Sequence, residues 1–86
     1  MDINELIQIV KKKIEKKVIV EKIDIEDKSF LHKKHKNNLE GKFHLKINIE
    51  SDFLKRKNKI ESSRTIYKIL EKELKIHIHS IQLNIK

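Results

Sequence analysis

Histidine is the residue type in this chain whose number and spacing allow chemistry. Five occur: His32, His35, His44, His77 and His79. Neutral imidazole is a common metal ligand, and it replaces thiolate on one iron of some [2Fe-2S] centres. His77 and His79 sit two apart in Lys75-Ile-His-Ile-His-Ser-Ile-Gln-Leu83, a breaker-free run rich in β-branched residues that reads as a final strand. Residues i and i+2 of a strand share a face, so both imidazoles are expected on one face, in phase with Ile81 and Leu83. His32 and His35 fall in a polar stretch well before that strand. With no cysteine in the chain there is no thiolate. Two or three imidazoles without sulfur are too few soft ligands to close a cluster site, so a cluster here would need thiolates from a partner. The plainer alternative makes His32 and His35 ordinary loop residues, and His44 and His77 solvent-facing strand positions.

Other chemistries find little support. No Ser-His-Asp or Cys-His set has the local context of a nucleophilic site. The adjacent Glu26 and Asp27 diverge as neighbours in an extended segment, which does not suit paired acid-base work. A single glycine excludes a glycine-rich phosphate loop. The chain is therefore expected not to be an enzyme.

The elements that must position the histidines read as follows. Asp2 caps a first helix, with Glu5 in capping-box position and Ile3, Leu6, Ile7, Val10 and Ile14 at helical spacing. Residues 18–26 read as a strand with Ile19, Ile23 and Ile25 on one face. Residues 27–41 have no strong period and read as a long loop. Residues 43–50 are the clearest strand: Phe43, Leu45, Ile47 and Ile49 alternate with His44, Lys46, Asn48 and Glu50, so one face is expected buried and the other wet. Ser51 and Asp52 cap a short turn over 53–55. Charged residues 56–59 then lead into a second long helix with a stripe of Ile60, Ser63, Tyr67, Leu70 and Leu74, widened by Ile66 and Ile69.

That order, helix-strand-strand-helix-strand, predicts a single small α+β (α/β) domain over 1–86, with a three-stranded mixed sheet and the helices on one face. The first two strands pair antiparallel; the second and third are joined by a crossover helix. If the first and last strands are neighbours, the loop holding His32 and His35 folds over His79. One conflict stands: Ile76 and Ile78 lie in the opposite phase to Ile81, Leu83 and Ile85. Either the strand switches face near His79 or it begins there.

The formal charge is +8, carried almost wholly by lysine; Arg56 and Arg64 are the two arginines. A basic balance can mark a nucleic-acid partner, and the surface for one would be Lys55, Arg56, Lys57, Lys59 and Arg64. Lysine is spread along the whole chain, however, and arginine, the favoured reader of guanine edges, is scarce. The lysines of the first helix read as a solvated helix end suited to the helix dipole. No apolar run is long enough to cross a bilayer, and Met1-Asp2-Ile3-Asn4-Glu5 carries no signal-peptide pattern. A soluble, cytoplasmic protein without membrane contact is expected.

Three stretches resemble the BolA family. Asp27-Lys-Ser-Phe-Leu-His-Lys-Lys-His35 is similar to its Asp-x-Ser-x-x-His-x-x-His stretch, and His44-Leu-Lys-Ile-x-Ile-x-Ser-Asp52 to its His-Phe-x-Val-x-x-x-Ser segment. Arg64-x-x-Tyr67, Leu70-Glu-Lys-Glu-Leu74 and Ile78-His-Ser-Ile-Gln-Leu83 are similar to its Arg-x-x-Tyr, Leu-x-x-Glu-Leu and Val-His-Ala-Leu-x-Leu run. The chain departs from the pattern at Leu45, where phenylalanine is usual, and at Ser62-Ser63-Arg64, where Arg-His-Arg is usual.

The resemblance implies an α-β-β-α-β fold similar to the class II KH domain, without the Gly-x-x-Gly clamp for RNA. It implies an adaptor in iron-sulfur cluster assembly and iron homeostasis, monomeric when alone, whose partner is a monothiol glutaredoxin. The pair would share a [2Fe-2S] cluster held by the glutaredoxin cysteine, glutathione and histidine of this chain. By position His79 matches the family's C-terminal ligand and His32 its loop ligand, with His35 a neighbour able to substitute. The alternative is a DNA-binding transcriptional regulator, as some relatives are described.

Overall fold

The computed structural model describes residues 2–29 and 42–86. Local signals set the first helix, α1 (Ile3–Lys17). The Asp2 side chain accepts the Glu5 amide at 2.8 Å, and Leu6, Val10 and Ile14 turn a buried stripe inward. It is followed by β1 (Lys22–Asp27), β2 (Phe43–Glu50), α2 (Asp52–Lys55), α3 (Lys59–Ile69), α4 (Glu71–Ile76) and β3 (Ile78–Ile85).

The sheet order is β1-β2-β3, with β1 antiparallel and β3 parallel to the central β2. The expected alternation of β2 holds: Leu45, Ile47 and Ile49 are buried against Leu6, Val10 and Ile14 of α1 and Leu54, Ile66 and Leu70 of the later helices. The helices thus share one sheet face, as a single core in a chain of this size requires. No described helix is long and apolar enough to cross a membrane.

Several expectations are corrected. β1 and β3 are opposite edges of the sheet, not neighbours; β2 lies between them. The first strand begins at Lys22, not at residue 18. Val18 still belongs to the helix end, its amide donating to Ile14 O at 2.9 Å, and the Ile19 carbonyl is taken by Ser51 Oγ at 2.6 Å instead of by a ladder. Ile19 is consequently 74% exposed.

The second long helix is two helices, broken at Leu70 (φ −99°, ψ 14°). Its inward face is Ser62, Ile66, Leu70 and Glu73, while Ile60 and Tyr67 are exposed. The reason is a polar contact that hydrophobic periodicity cannot register. Ser62 Oγ donates to the Leu54 carbonyl at 2.7 Å, and this small buried side chain lets α2 approach α3 closely. Glu73 is accepted inside because Lys13 reaches it at 2.6 Å.

Candidate functional site

The site grows from a mismatch between β2 and β3. Phe43 is opposite Ile78 and His44 is opposite Ser80, so His79 is an extra residue with no partner in the ladder. That one-residue bulge resolves the phase conflict in the sequence. Ile78 and Ile81 both face the core because the extra residue lies between them, and a bulge re-aims the side chain it inserts.

The consequence is a pair of imidazoles. The His44 and His79 ring centroids are 4.8 Å apart with planes tilted by 58°. Ser80 Oγ lies 2.7 Å from His44 Nδ1. On its main chain, His44 donates to Ser29 Oγ at 3.1 Å and its carbonyl accepts the Lys28 amide at 2.7 Å. Asp27 Oδ1 accepts the Ser29 amide at 2.9 Å, which folds the end of β1 across toward His44. His44 is 4% exposed, although it belongs to the face expected to be wet; His79 is exposed.

His77 is not on this face and not in a strand. It is the C-cap of α4, with αR backbone angles and its amide on Glu73 O. The shared strand face expected for His77 and His79 is therefore absent: helix formers carry α4 through Ile76, and the strand begins only at Ile78. His32 and His35 lie outside the described residues. Of the three nominated ligands the structure describes His79 alone, and it brings His44 beside it.

With its Nδ1 engaged by Ser80 Oγ and its ring buried, His44 flanks the exposed His79 and is not counted as a ligand. Among the described residues no three His, Cys, Asp or Glu side chains converge to hold a metal ion by themselves. Below the pair, the same sheet face is polar. Lys28 and Asn48 hydrogen-bond the Glu26 side chain, with Lys46 nearby, and hold its carboxyl below the usual carboxylate range.

The basic residues nominated for nucleic acid lie on the helix side. Lys55 ends α2, Arg56 caps it, and Lys59 opens α3. Lys57 Nζ sits 5.0 Å from the Phe53 ring centroid. Lys55, Lys57 and Lys59 line a groove of about 400 Å³ with Ser62 and Ser63; Arg56 and Arg64 do not line it.

A family model described as BolA-like protein matches residues 14–86. Among solved structures, the BolA domain of SufE1 from Arabidopsis thaliana is 28% identical with a TM-score of 0.78, over 92% of this chain and 87% of that one. BolA1 from Arabidopsis thaliana has the same fold at 24% identity and a TM-score of 0.77, again over 92% and 87% of the two chains. A bol-like protein from Babesia bovis shares the fold at 14% identity and a TM-score of 0.68, over 91% and 79%. No curated protein matches the sequence.

Proposed function

The chain belongs to the BolA-like family, and on that premise we propose that it is an adaptor that pairs with a monothiol glutaredoxin. The cargo is a [2Fe-2S] cluster shared between the two proteins, for iron-sulfur cluster assembly and trafficking and iron homeostasis. The chain is monomeric until it meets its partner, acts in the cytoplasm and catalyses no reaction of its own.

The observation that supports this reading best is the placing of His79. It is exposed, it stands on a bulge that the ladder does not need, and another imidazole lies 4.8 Å away. The donor set fits a shared cluster better than a resident one. The chain has no cysteine, so the thiolates come from the glutaredoxin cysteine and its glutathione, and the chain supplies imidazole. His79 is the ligand from β3. His32 or His35 supplies the second by family position. His44 holds the ground beside His79, and Ser80 on the His44 Nδ1 sets that ring's orientation.

Mixing the chain with a glutathione-loaded monothiol glutaredoxin cluster tests this directly. The visible spectrum is expected to change with the wild-type chain and to stay that of the glutaredoxin alone with His79→Ala. A spectrum that is unchanged by either chain removes the proposal.

A second reading, DNA binding through the Lys55, Lys57 and Lys59 groove, is favoured by three lysines lining one groove together with Ser63, whose hydroxyl can meet phosphate as the lysines do. Arg56 and Arg64 would extend that surface. Duplex binding by this route weakens steeply with salt and is lost with Lys55→Glu/Lys57→Glu, whereas His79→Ala leaves it intact.

A further inference from the structure

We propose that the groove between α1 and α3 docks an acidic, amphipathic segment of another protein. The groove has a volume of about 630 Å³ and is lined by Lys13, Lys16, Lys17, Thr65, Lys68 and Ile69. It goes beyond the adaptor reading and does not rest on it, because it lies on the helix layer and the imidazole pair lies across the sheet.

Lysine is common throughout the chain, so a basic groove means something only by contrast. The groove on the open sheet face has Lys22 and Lys46 beside Asp24 and Glu50, and so carries both signs. The Lys55, Lys57 and Lys59 groove, of about 400 Å³, has three lysines and no carboxylate; the α1–α3 groove, of about 630 Å³, has four lysines and no carboxylate. Glu73 holds Lys13 at 2.6 Å and so fixes one wall. Lys16, Lys17 and Lys68 are exposed and form no ion pair among the described residues. Glu15 and Glu61, on the same two helices, do not line the groove.

Helix dipoles account for part of this. Lys16 and Lys17 end α1 and Lys68 is in the last turn of α3, where cations are favoured. A dipole does not explain why two helix ends bring their lysines around a common half-buried isoleucine, Ile69. Lysine stems are aliphatic, so the groove pairs apolar surface, from those stems and the half-buried Ile69, with cationic ammonium groups. The matching occupant presents carboxylates to the ammonium groups and one or two apolar side chains to Ile69 and the lysine stems. Nucleic acid fits less well, since the apolar surface of Ile69 and the lysine stems has no counterpart on a phosphate backbone and the lining has no aromatic ring on which a base could stack. A bilayer fits less well too, since it is met by protruding apolar side chains and Ile69 is half-buried against the core.

The test is fluorescence anisotropy with a labelled helical peptide of glutamate and leucine, beside a matched peptide with glutamine for glutamate. Lys16→Glu/Lys17→Glu/Lys68→Glu is expected to weaken binding at least about tenfold, and Lys55→Glu/Lys57→Glu less than about twofold, which in free energy is ~1.4 kcal/mol against a few tenths. Far-UV circular dichroism checks that both variants fold, and the corresponding lysine→glutamine set replaces the reversal if it does not. Equal weakening by the two sets means diffuse attraction and overturns the proposal. So does equal binding of the glutamine peptide. Tighter binding of duplex DNA or of phosphatidylserine vesicles through the same lysines also overturns it. His79→Ala is expected to bind the acidic peptide like wild type even if cluster sharing fails.

Discussion

Glu73 is a carboxylate that the core accommodates on unusual terms. It is 5% exposed, one oxygen meets Lys13 Nζ at 2.6 Å, and the other, Oε1, is buried without a partner. Burying an ion costs more than the pair returns unless every lone pair is met, so this contact defines a position better than it stabilises one. The asymmetry between the partners gives a sharp prediction. Lys13→Met leaves a buried charge alone and should cost about 2 kcal/mol. Glu73→Leu leaves Lys13, whose side chain is 38% exposed, to water, and should cost less. The double variant Lys13→Met/Glu73→Leu should be as stable as wild type or more so. Urea unfolding midpoints of the three variants check this; equal losses in both single variants would contradict it. The same lesson about partners applies to His44. Its type suggested a wet strand position, but Ser80, Ser29 and Lys28 all engage it, and none of these contacts is local in the chain.

At the scale of elements, the bulge in β3 separates what the fold needs from what the site needs. Without His79, Ile78 and Ser80 would be consecutive, and their pairing with Phe43 and His44 would be a regular parallel ladder with Ile78 and Ile81 still facing the core. Deleting His79 should therefore leave the domain folded, with a melting midpoint within about 5 °C of wild type, or ~1 kcal/mol for a domain of this size, while cluster sharing is lost. Thermal melting followed by circular dichroism, with the visible spectrum alongside, checks both halves. A deletion that unfolds the chain would show that the extra residue is structural. How much could be read beforehand follows the range of the signals. Asp2 and Ser51 announce α1 and α2 because a cap acts within three residues. The alternation in β2 announces one buried face within eight. The placing of His79 beside His44 depends on a register between strands joined through three helices, and nothing within either strand encodes it. The misjudged helix stripe has the same origin. Ile60 is apolar yet 65% exposed, and Ser62 is polar yet buried, because Leu54 of another element decides which face of α3 turns inward.

The whole molecule sets its candidate surfaces apart: imidazoles on the open sheet face, lysine-lined grooves along the helix layer. Its net charge of +8 then becomes a property of stability as well as recognition. The principal extents are 39 × 22 × 19 Å. At about 10 mM salt the Debye length, roughly 30 Å, spans most of that body, and at physiological salt it falls to about 8 Å, so most lysine–lysine repulsion is screened. Among the described residues three ion pairs oppose the trend: Lys13–Glu73, Lys28–Glu26 and Lys75–Glu71. The last two are solvent-facing, and such pairs contribute little, so salt takes little from them. Repulsion should therefore dominate, and sodium chloride should raise the melting midpoint between those two conditions. Lys16→Glu/Lys17→Glu/Lys68→Glu changes two charges at each of three sites and brings the net charge from +8 to +2. That variant should melt higher than wild type at low salt and respond much less to added salt. Melting curves of both proteins across a sodium chloride series decide the matter. A midpoint that falls as salt is added would mean that ion pairs, not crowded lysines, govern the electrostatics of this fold.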